Sequence, residues 1–233
     1  MTTPPSPPTV AAFDFDGTLT RGGSVLAFLV AARGFLPAGR AIVKSLPGLL
    51  RGAIFSGSAA DETKETLFAQ LLAGLPADGI DRLSADFAEH HLRRRIRQDT
   101  RDRLDWHRKQ GHRVVIVSAS PDCYVGPAAE LLGADAALAT RLAVSGHLLT
   151  GRYEGKNCRG PEKYARLAGW LRSEGLNGAG PNAPVIWAYG NSRGDLRLLQ
   201  AADHGVDAGR LGRFGRLRRF PRLAAVMAEA PPA

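Results

Sequence analysis

A chain of 233 residues with 44% hydrophobic and 23% charged residues can build one sizeable core with an appended subdomain. Its formal net charge of +9 favours anionic partners, whether phosphorylated metabolites, acidic lipid surfaces or nucleic acid, without choosing among them. Two cysteines without C-x-x-C spacing argue against a disulfide framework and for reduced thiols in a cytoplasm, and no apolar run is long enough to cross a membrane.

Residues 1–9, rich in Pro and Thr and without a signal-peptide pattern, read as a disordered leader. A first buried strand is expected at 9–14, where Val10-Ala11-Ala12-Phe13 runs into Asp14-Phe15-Asp16-Gly17-Thr18-Leu19-Thr20. From Arg21 to Gln98 there is no strand signal and the stretch looks helical throughout. Ser58 to Asp61 offers a capping start before Leu67, Phe68, Leu71 and Leu72, and Ile80, Leu83 and Phe87 keep helical spacing. This insert, residues 21–98, reads as a helical cap domain over the carboxyl ends of the strands, where open α/β sheets bind ligands.

Two further apolar runs, 113–117 and 184–188, read as buried parallel strands, and 205–207 as a short one. Gly111 closes a helix ending near Gln110, and the Gly- and Asn-rich loop 177–182 closes one starting near Pro161. Helices alternating with strands predict an α/β fold, a doubly wound parallel sheet built from 10–20 and 99–209. Within it, 138–144 and 147–153 flank Ser145-Gly146 and read as a β-hairpin. Residues 210–233 form a basic tail.

Two carboxylates one residue apart at the end of a buried strand are costly to place without a use. Asp14 can attack phosphorus and form an aspartyl phosphate, while Asp16 protonates the leaving oxygen and then activates water. The anionic oxygens around phosphorus must first be neutralised, which implies a hard cation such as Mg²⁺. A calcium-loop reading fails, because an EF-hand wants Gly at its sixth position and Glu at its twelfth, where this chain has Leu19 and Val25. The strand at 113–117 ends in Ser118-Ala119-Ser120, whose hydroxyls and N–H groups suit phosphate oxygens. Lys163 opens a helix after Gly160-Pro161-Glu162, and the strand at 184–188 ends in Gly190-Asn191-Ser192-Arg193-Gly194-Asp195, rich in oxygens for a hard metal. Each cluster alone has a plain alternative: a turn, a helix cap or a surface lysine. Four of them at strand ends in consistent order are hard to explain that way. Gly17, Thr18, Ala119 and Ser120 join as substrate-binding candidates.

Together these residues resemble the four motifs of the haloacid dehalogenase-like superfamily, phosphatase branch, subfamily IB, which includes phosphoserine phosphatase-like and phosphatidylglycerophosphatase-like enzymes. The resemblance runs from Val10 to about Gly209. It implies a Rossmann-like core with an inserted cap, Asp14 as nucleophile, Asp16 as general acid/base, Ser118 on the phosphoryl group and Lys163 balancing charge. It also implies Mg²⁺ held by an Asp14 oxygen, the Asp16 main-chain carbonyl, Asn191 and Asp195. The family's fourth motif is usually Gly-Asp-Ser-x-x-Asp. Asn191 keeps an oxygen there but removes a charge, so Asp195 is expected to carry more of the metal.

Substrate signals are weaker. Phosphoserine phosphatases resemble one another in a Glu soon after the first motif, where this chain has Arg21-Gly22-Gly23-Ser24-Val25. Ile42, Val43, Leu46, Leu49, Leu50 and Ile54 keep helical spacing beside Arg40, Lys44 and Arg51. That pattern fits an interfacial helix and a lipid phosphate, or a helix packed on its neighbours. The tail repeats Arg in triplets: Arg210, Arg213, Arg216, Arg219 and Arg222, each followed by Leu or Phe. An extended polyproline-II-like tail would align these arginines on one edge for anionic lipid headgroups or another polyanion; in the alternative, Leu211, Phe214 and Leu217 pack on the core. His90-His91 beside Arg93 to Arg95 reads as a solvated helix face, and Gly151 to Lys156 is one residue short of a phosphate-binding P-loop. The resulting expectation is a phosphomonoester hydrolase on a small-molecule or lipid phosphate, cytoplasmic, with peripheral contact to anionic membrane open and no nucleic acid partner. Phosphotransfer to an alcohol and a noncatalytic polyanion-binding scaffold are the rivals.

Overall fold

A computed structural model describes residues 7–44, 58–180, 183–209 and 215–229. Its centre is a five-stranded sheet in the order β3-β2-β1-β6-β7, with every pair parallel: β1 (Thr9–Phe13), β2 (Arg113–Pro121), β3 (Ala136–Thr140), β6 (Val185–Gly190) and β7 (His204–Asp207). The strands β4 (Leu142–Ser145) and β5 (Leu148–Tyr153) form a separate antiparallel pair. β1 is central and apolar from Val10 to Phe13, as a strand covered on both faces must be. Its alternation sorts the two layers. Ala11 and Phe13 face a cluster that includes Leu104 of α5 (Gln98–Lys109), Tyr124 of α6 (Asp122–Leu132) and Leu223 of α9 (Leu223–Glu229). Val10 and Ala12 face Leu167 and Leu171 of α7 (Pro161–Ser173) and Leu198 of α8 (Leu196–Ala201).

Between β1 and β2 lie α1 (Val25–Arg33), α2 (35–44), α3 (Ser58–Leu72) and α4 (Ala77–Arg95). The chain leaves and re-enters side by side: Arg21 N donates to Arg95 O at 2.7 Å and Arg97 N to Leu19 O at 2.8 Å. Phe28, Leu67, Phe68, Leu72 and Ile80 of these helices share one apolar cluster with Phe13 and Tyr124, so the insert is packed into the core beneath it. The stretch is not purely helical, since Thr20 bridges Ile96 and Pro76 bridges Leu148.

The structure corrects several sequence expectations. Residues 136–140 are not a hairpin arm but the sheet's edge strand, and the hairpin proper begins at Leu142. β2 runs on through Ser118 to Pro121, with a register shift after Ser118, and β6 runs on to Gly190. Pro8 and Thr9, assigned to the leader, join the sheet: Val185 N donates to Pro8 O at 2.9 Å. His91 is buried and stacks on Phe87, while His90 and Arg93 to Arg95 are exposed. Ile42 packs inward and Val43 points to water, so that helix's apolar positions divide between two faces; Leu46, Leu49, Leu50, Arg51 and Ile54 lie outside the described residues.

The tail is not extended where it is described. Gly215–Arg219 is a 3-10 turn with Leu217 buried, Asp207 N donates to Pro221 O at 2.8 Å, and α9 buries Leu223 and Val226. Both 3-10 and polyproline-II helices have three residues per turn, so the Arg-Leu triplets suit either. Leu217, buried in the turn, and Phe220, partly buried just beyond it, pack on the same apolar cluster, which selects the former. Leu211, Phe214, Arg210 and Arg213 fall outside the described residues.

The hairpin docks on α3 through Gly151, whose φ is +74° and whose added Cβ would stand 2.4 Å from the Ala69 Cα. Leu149 N and Gly74 N bond across the same seam to Leu75 O and Leu149 O. Gly151→Ala is therefore expected to destabilise the protein by about 2 kcal/mol or more, through a left-handed backbone and a backbone clash together. A urea titration that leaves the midpoint unchanged would contradict this seam.

Candidate active site

Parallel register sets the site. Phe13 pairs with Ile116 on one side and Tyr189 on the other, so Asp14, the Ser118 region and Gly190 emerge at one edge of the sheet. Asp14 N donates to Tyr189 O at 2.9 Å, which fixes the carboxylate's root. Lys163, in the first turn of α7, reaches the same edge. Its Nζ lies 2.5 Å from Asp14 Oδ1 and 2.5 Å from Asp195 Oδ1, with all three side chains buried. Thr18 Oγ1 donates to Asp14 Oδ2 at 2.9 Å.

The electrostatics of this trio follow from one cation between two carboxylates. Burial, with the Asp195 charge beside it, pushes the Asp14 carboxyl up to about 7 against the pull of Lys163. Burial also opposes the charged forms of Lys163 and Asp195. The two carboxylates nonetheless hold Lys163 above the usual lysine range, and Lys163 with the Ser192 donors holds Asp195 below the usual carboxylate range. The trio carries one negative charge in excess, which favours a proton or a further cation beside Asp14.

Asp16 is held differently. Its Oδ1 accepts from Ser24 N at 2.8 Å; its Oδ2 accepts from Ser24 Oγ at 3.0 Å and Ser120 Oγ at 2.5 Å. Tyr124 Oη lies 2.8 Å from Ser24 Oγ, and burial pushes that phenol well above its ordinary value. Ser118 Oγ accepts from Ser120 N at 3.0 Å, so the two serines face one another across the bulged end of β2. Ala119 presents its carbonyl, which accepts from Lys64 Nζ at 2.5 Å and Thr140 Oγ1 at 3.0 Å.

Gly17 lies directly under Asn191: a Cβ there would come within 2.0 Å of Asn191 Nδ2, and φ is +80°. The Asn191 carboxamide thus sits over the turn that follows Asp16. Asp195 is committed elsewhere. Its Oδ1 accepts from Lys163, and its Oδ2 accepts from Asn191 N, Ser192 N and Ser192 Oγ at 2.8–3.1 Å. In this structure both oxygens of Asp195, expected to carry more of the metal, are engaged by Lys163 and by the Asn191-Ser192 segment. Among the described residues no three His, Cys, Asp or Glu side chains cluster as a metal site. The set that fits a hard cation is mixed, with the over-charged Asp14, main-chain oxygen and one carboxamide.

Several site residues had no sequence signal of their own. Ser24 follows two glycines, and only folding brings it to Asp16. Lys64, in the first half of α3, is partly buried, and desolvation lowers its ammonium to about 8 despite Asp16 and Asp61 nearby. Asp61 accepts from Asn157 Nδ2 at 2.8 Å and Arg159 Nη1 at 3.3 Å, tying α3 to the loop before α7. Arg97 is buried and donates to Gly17 O at 2.8 Å and Ala208 O at 2.6 Å, bracing the turn after Asp16. Behind the sheet, Arg103 Nε donates to Tyr189 Oη at 2.7 Å, and buried His107, pushed down to about 2 by burial, holds the same hydroxyl at 2.8 Å.

A carboxylate pair, hydroxyls and a buried ammonium at the carboxyl edge of a doubly wound parallel sheet define a ligand site of the open α/β class. The comparisons narrow that class: residues 11–200 match the haloacid dehalogenase-like hydrolase family, and the chain belongs to it. It is 36% identical over 198 residues to the protein CicA of Caulobacter vibrioides, covering 84% of each chain. It is 31% identical over 213 residues to a probable phosphatase of Mycobacterium tuberculosis, covering 87% of this chain and 69% of that one. A phosphoserine phosphatase solved as a phospho-aspartyl intermediate analogue shares the fold, with a TM-score of 0.60 at 22% identity over 87% of each chain. Among the described residues no helix is long and apolar enough to cross a membrane.

Proposed function

We propose that the protein is a Mg²⁺-dependent phosphomonoester hydrolase working through an aspartyl phosphate on Asp14. The observation that carries this is the buried Lys163 ammonium between Asp14 and Asp195, beside the Asp16 carboxylate and the β2 serines. The relatives support it, since one is described as a phosphatase and a protein of the same fold is described with a phospho-aspartyl intermediate analogue.

In this reading Ser118 and the neighbouring N–H groups take the phosphoryl oxygens, and Lys163 neutralises part of their charge. An Asp14 oxygen attacks phosphorus, and the bond from phosphorus to the ester oxygen breaks. Asp16 gives its proton to that leaving oxygen, then accepts one from the water that attacks the aspartyl phosphate, releasing phosphate and restoring Asp14. Ser24 and Ser120 keep the Asp16 carboxylate aimed at the site. Lys64 adds a second, partly buried cation on that side, which eases entry of a dianionic ester into a site already holding carboxylates. Asp14, the Asp16 carbonyl and Asn191 would hold Mg²⁺, which offsets charge on the phosphoryl oxygens. Asp195 serves as the brace for Lys163 and for the loop carrying Asn191.

The substrate is a small or amphiphilic phosphate monoester, and the protein acts in the cytoplasm. A panel spanning phosphoserine, sugar phosphates, nucleotides and phosphatidylglycerophosphate with Mg²⁺ tests the reading. Release of inorganic phosphate from at least one is expected. No turnover on any of them, with salt-dependent binding to polyanions, would instead favour a noncatalytic scaffold. Added acceptor alcohols distinguish hydrolysis from phosphotransfer. Asn191→Asp restores a charge to the metal position and is expected to lower the Mg²⁺ concentration for half-maximal activity by about tenfold, because ligand charge sets affinity for hard cations. An unchanged Mg²⁺ titration would remove Asn191 from the ligand set.

A further inference from the structure

We propose that the corner between α1 and α2 is a docking surface for an anionic lipid bilayer. The inference goes beyond the hydrolase reading and does not rest on it.

α1 stops at Gly34, whose φ of 84° turns the chain, and Phe35, Leu36 and Pro37 stand at the turn. Phe35 is 77% exposed, Leu36 71%, Val43 69% and Leu26 42%. The same two helices bury Phe28, Leu29, Ala38 and Ala41 on their inner side, so the helices are already anchored and the outer apolar residues are surplus to packing. Of seven large hydrophobic residues exposed among the described residues, four belong to these two helices, with Phe35 and Leu36 side by side at the corner itself, Leu26 at the start of α1 and Val43 near the end of α2; the rest are Leu131, Val144 and Tyr164. Concentration of that kind marks a contact surface, whereas single exposed hydrophobics need no explanation.

Charge selects the occupant. Between Asp16 and Asp61 the sequence contains no acidic residue, while Arg21, Arg33, Arg40, Lys44 and Arg51 fall there. Arg40 and Lys44 are exposed on α2, on the turns that also present Leu36 and Val43. Arg33 is drawn back to the protein, donating to Leu71 O at 2.6 Å and Ala73 O at 3.2 Å. A second copy of a chain with net charge +9 would set these cations against their own kind. A bilayer with anionic headgroups meets both requirements: Phe35 and Leu36 enter the acyl boundary while Arg40 and Lys44 stay among the phosphates. The corner lies one helix of nine residues from Ser24, the Asp16 partner, or about 14 Å along its axis. A docked molecule would thus hold its reaction site within a lipid's length of the headgroup plane.

Co-sedimentation of the full chain with vesicles of phosphatidylcholine alone, and of phosphatidylcholine mixed with phosphatidylglycerol, tests this. Wild type is expected to pellet with the mixed vesicles and to be released by salt. Phe35→Ser/Leu36→Ser should weaken that binding by about tenfold, and Arg40→Glu/Lys44→Glu should abolish the preference for phosphatidylglycerol. Both should retain wild-type circular dichroism and wild-type turnover of a water-soluble aryl phosphate. Asp14→Asn should bind vesicles like wild type, so failure of the hydrolase reading would show in turnover alone. The proposal is overturned if wild type stays in the supernatant or if the corner variants bind undiminished. It is equally overturned if Arg218→Gln/Arg219→Gln in the tail alone removes binding, or if the corner variants only convert a dimer to a monomer in gel filtration.

Discussion

Asp14→Asn should lower turnover of a generic aryl phosphate by roughly 10⁴-fold or more, because in the proposed two-step path the amide cannot form the covalent intermediate. The fold should survive. An amide oxygen can still accept from Thr18 Oγ1 or Lys163 Nζ, which hold the carboxylate in the native protein. The pH dependence of stability separates loss of chemistry from loss of structure. Burial pushes the Asp14 carboxyl up to about 7 in the folded protein from an ordinary 3.8, so the folded state holds its proton more tightly. Its contribution to stability is therefore complete below about 4 and disappears as pH rises through about 7. The Asn variant lacks that loss, so in chelator-containing buffer its melting temperature should gain on wild type from pH 4 to 7. Retained turnover, or a variant that loses ground over that interval, would contradict the placement of Asp14.

Lys163→Met should be the most damaging single change to stability. It leaves Asp14 and Asp195 buried together with no cation between them, and breaking a buried pair from one side typically costs about 3–5 kcal/mol. With Lys163 gone, both carboxyls rise, and the penalty grows as pH climbs through neutrality because folding then resists their ionisation. Urea unfolding should show a larger deficit at pH 8 than at pH 5. The double variant Lys163→Met/Asp195→Asn should recover part of it by removing the unneutralised charge. A deficit independent of pH would indicate lost packing in place of lost charge.

Legibility in the sequence tracked how local each signal was. Asp14 and Asp16 could be read because the apolar run Val10 to Phe13 leads into two acids one residue apart. Ser118, Lys163 and the Asn191–Asp195 loop could be read because strand ends in a doubly wound sheet share one edge. Ser24, Tyr124, Lys64 and Arg97 could not, since their contacts span 8 to 111 positions and nothing in their neighbours announces them. The hairpin arm expected at 138–144 spans two strands because its apolar run is interrupted only by Thr140-Arg141, where the chain leaves one sheet for another. The tail stays open between two readings in the sequence because a period of three fits two helical forms, and tertiary burial of Leu217 decides for packing on the core.

The central position of β1 has a consequence for synthesis. This strand is made first, yet its two neighbours begin at Arg113 and Val185, and the Lys163–Asp14 bridge spans 149 positions. A nascent chain on the ribosome therefore carries a bare hydrophobic strand, with half its reactive groups still untranslated, until most of the protein has emerged. Such delayed closure makes folding slow and leaves the N-terminal segment dependent on protection from aggregation. No fragment ending before the last strands can hold a working site, so truncated products should be inert rather than partly active.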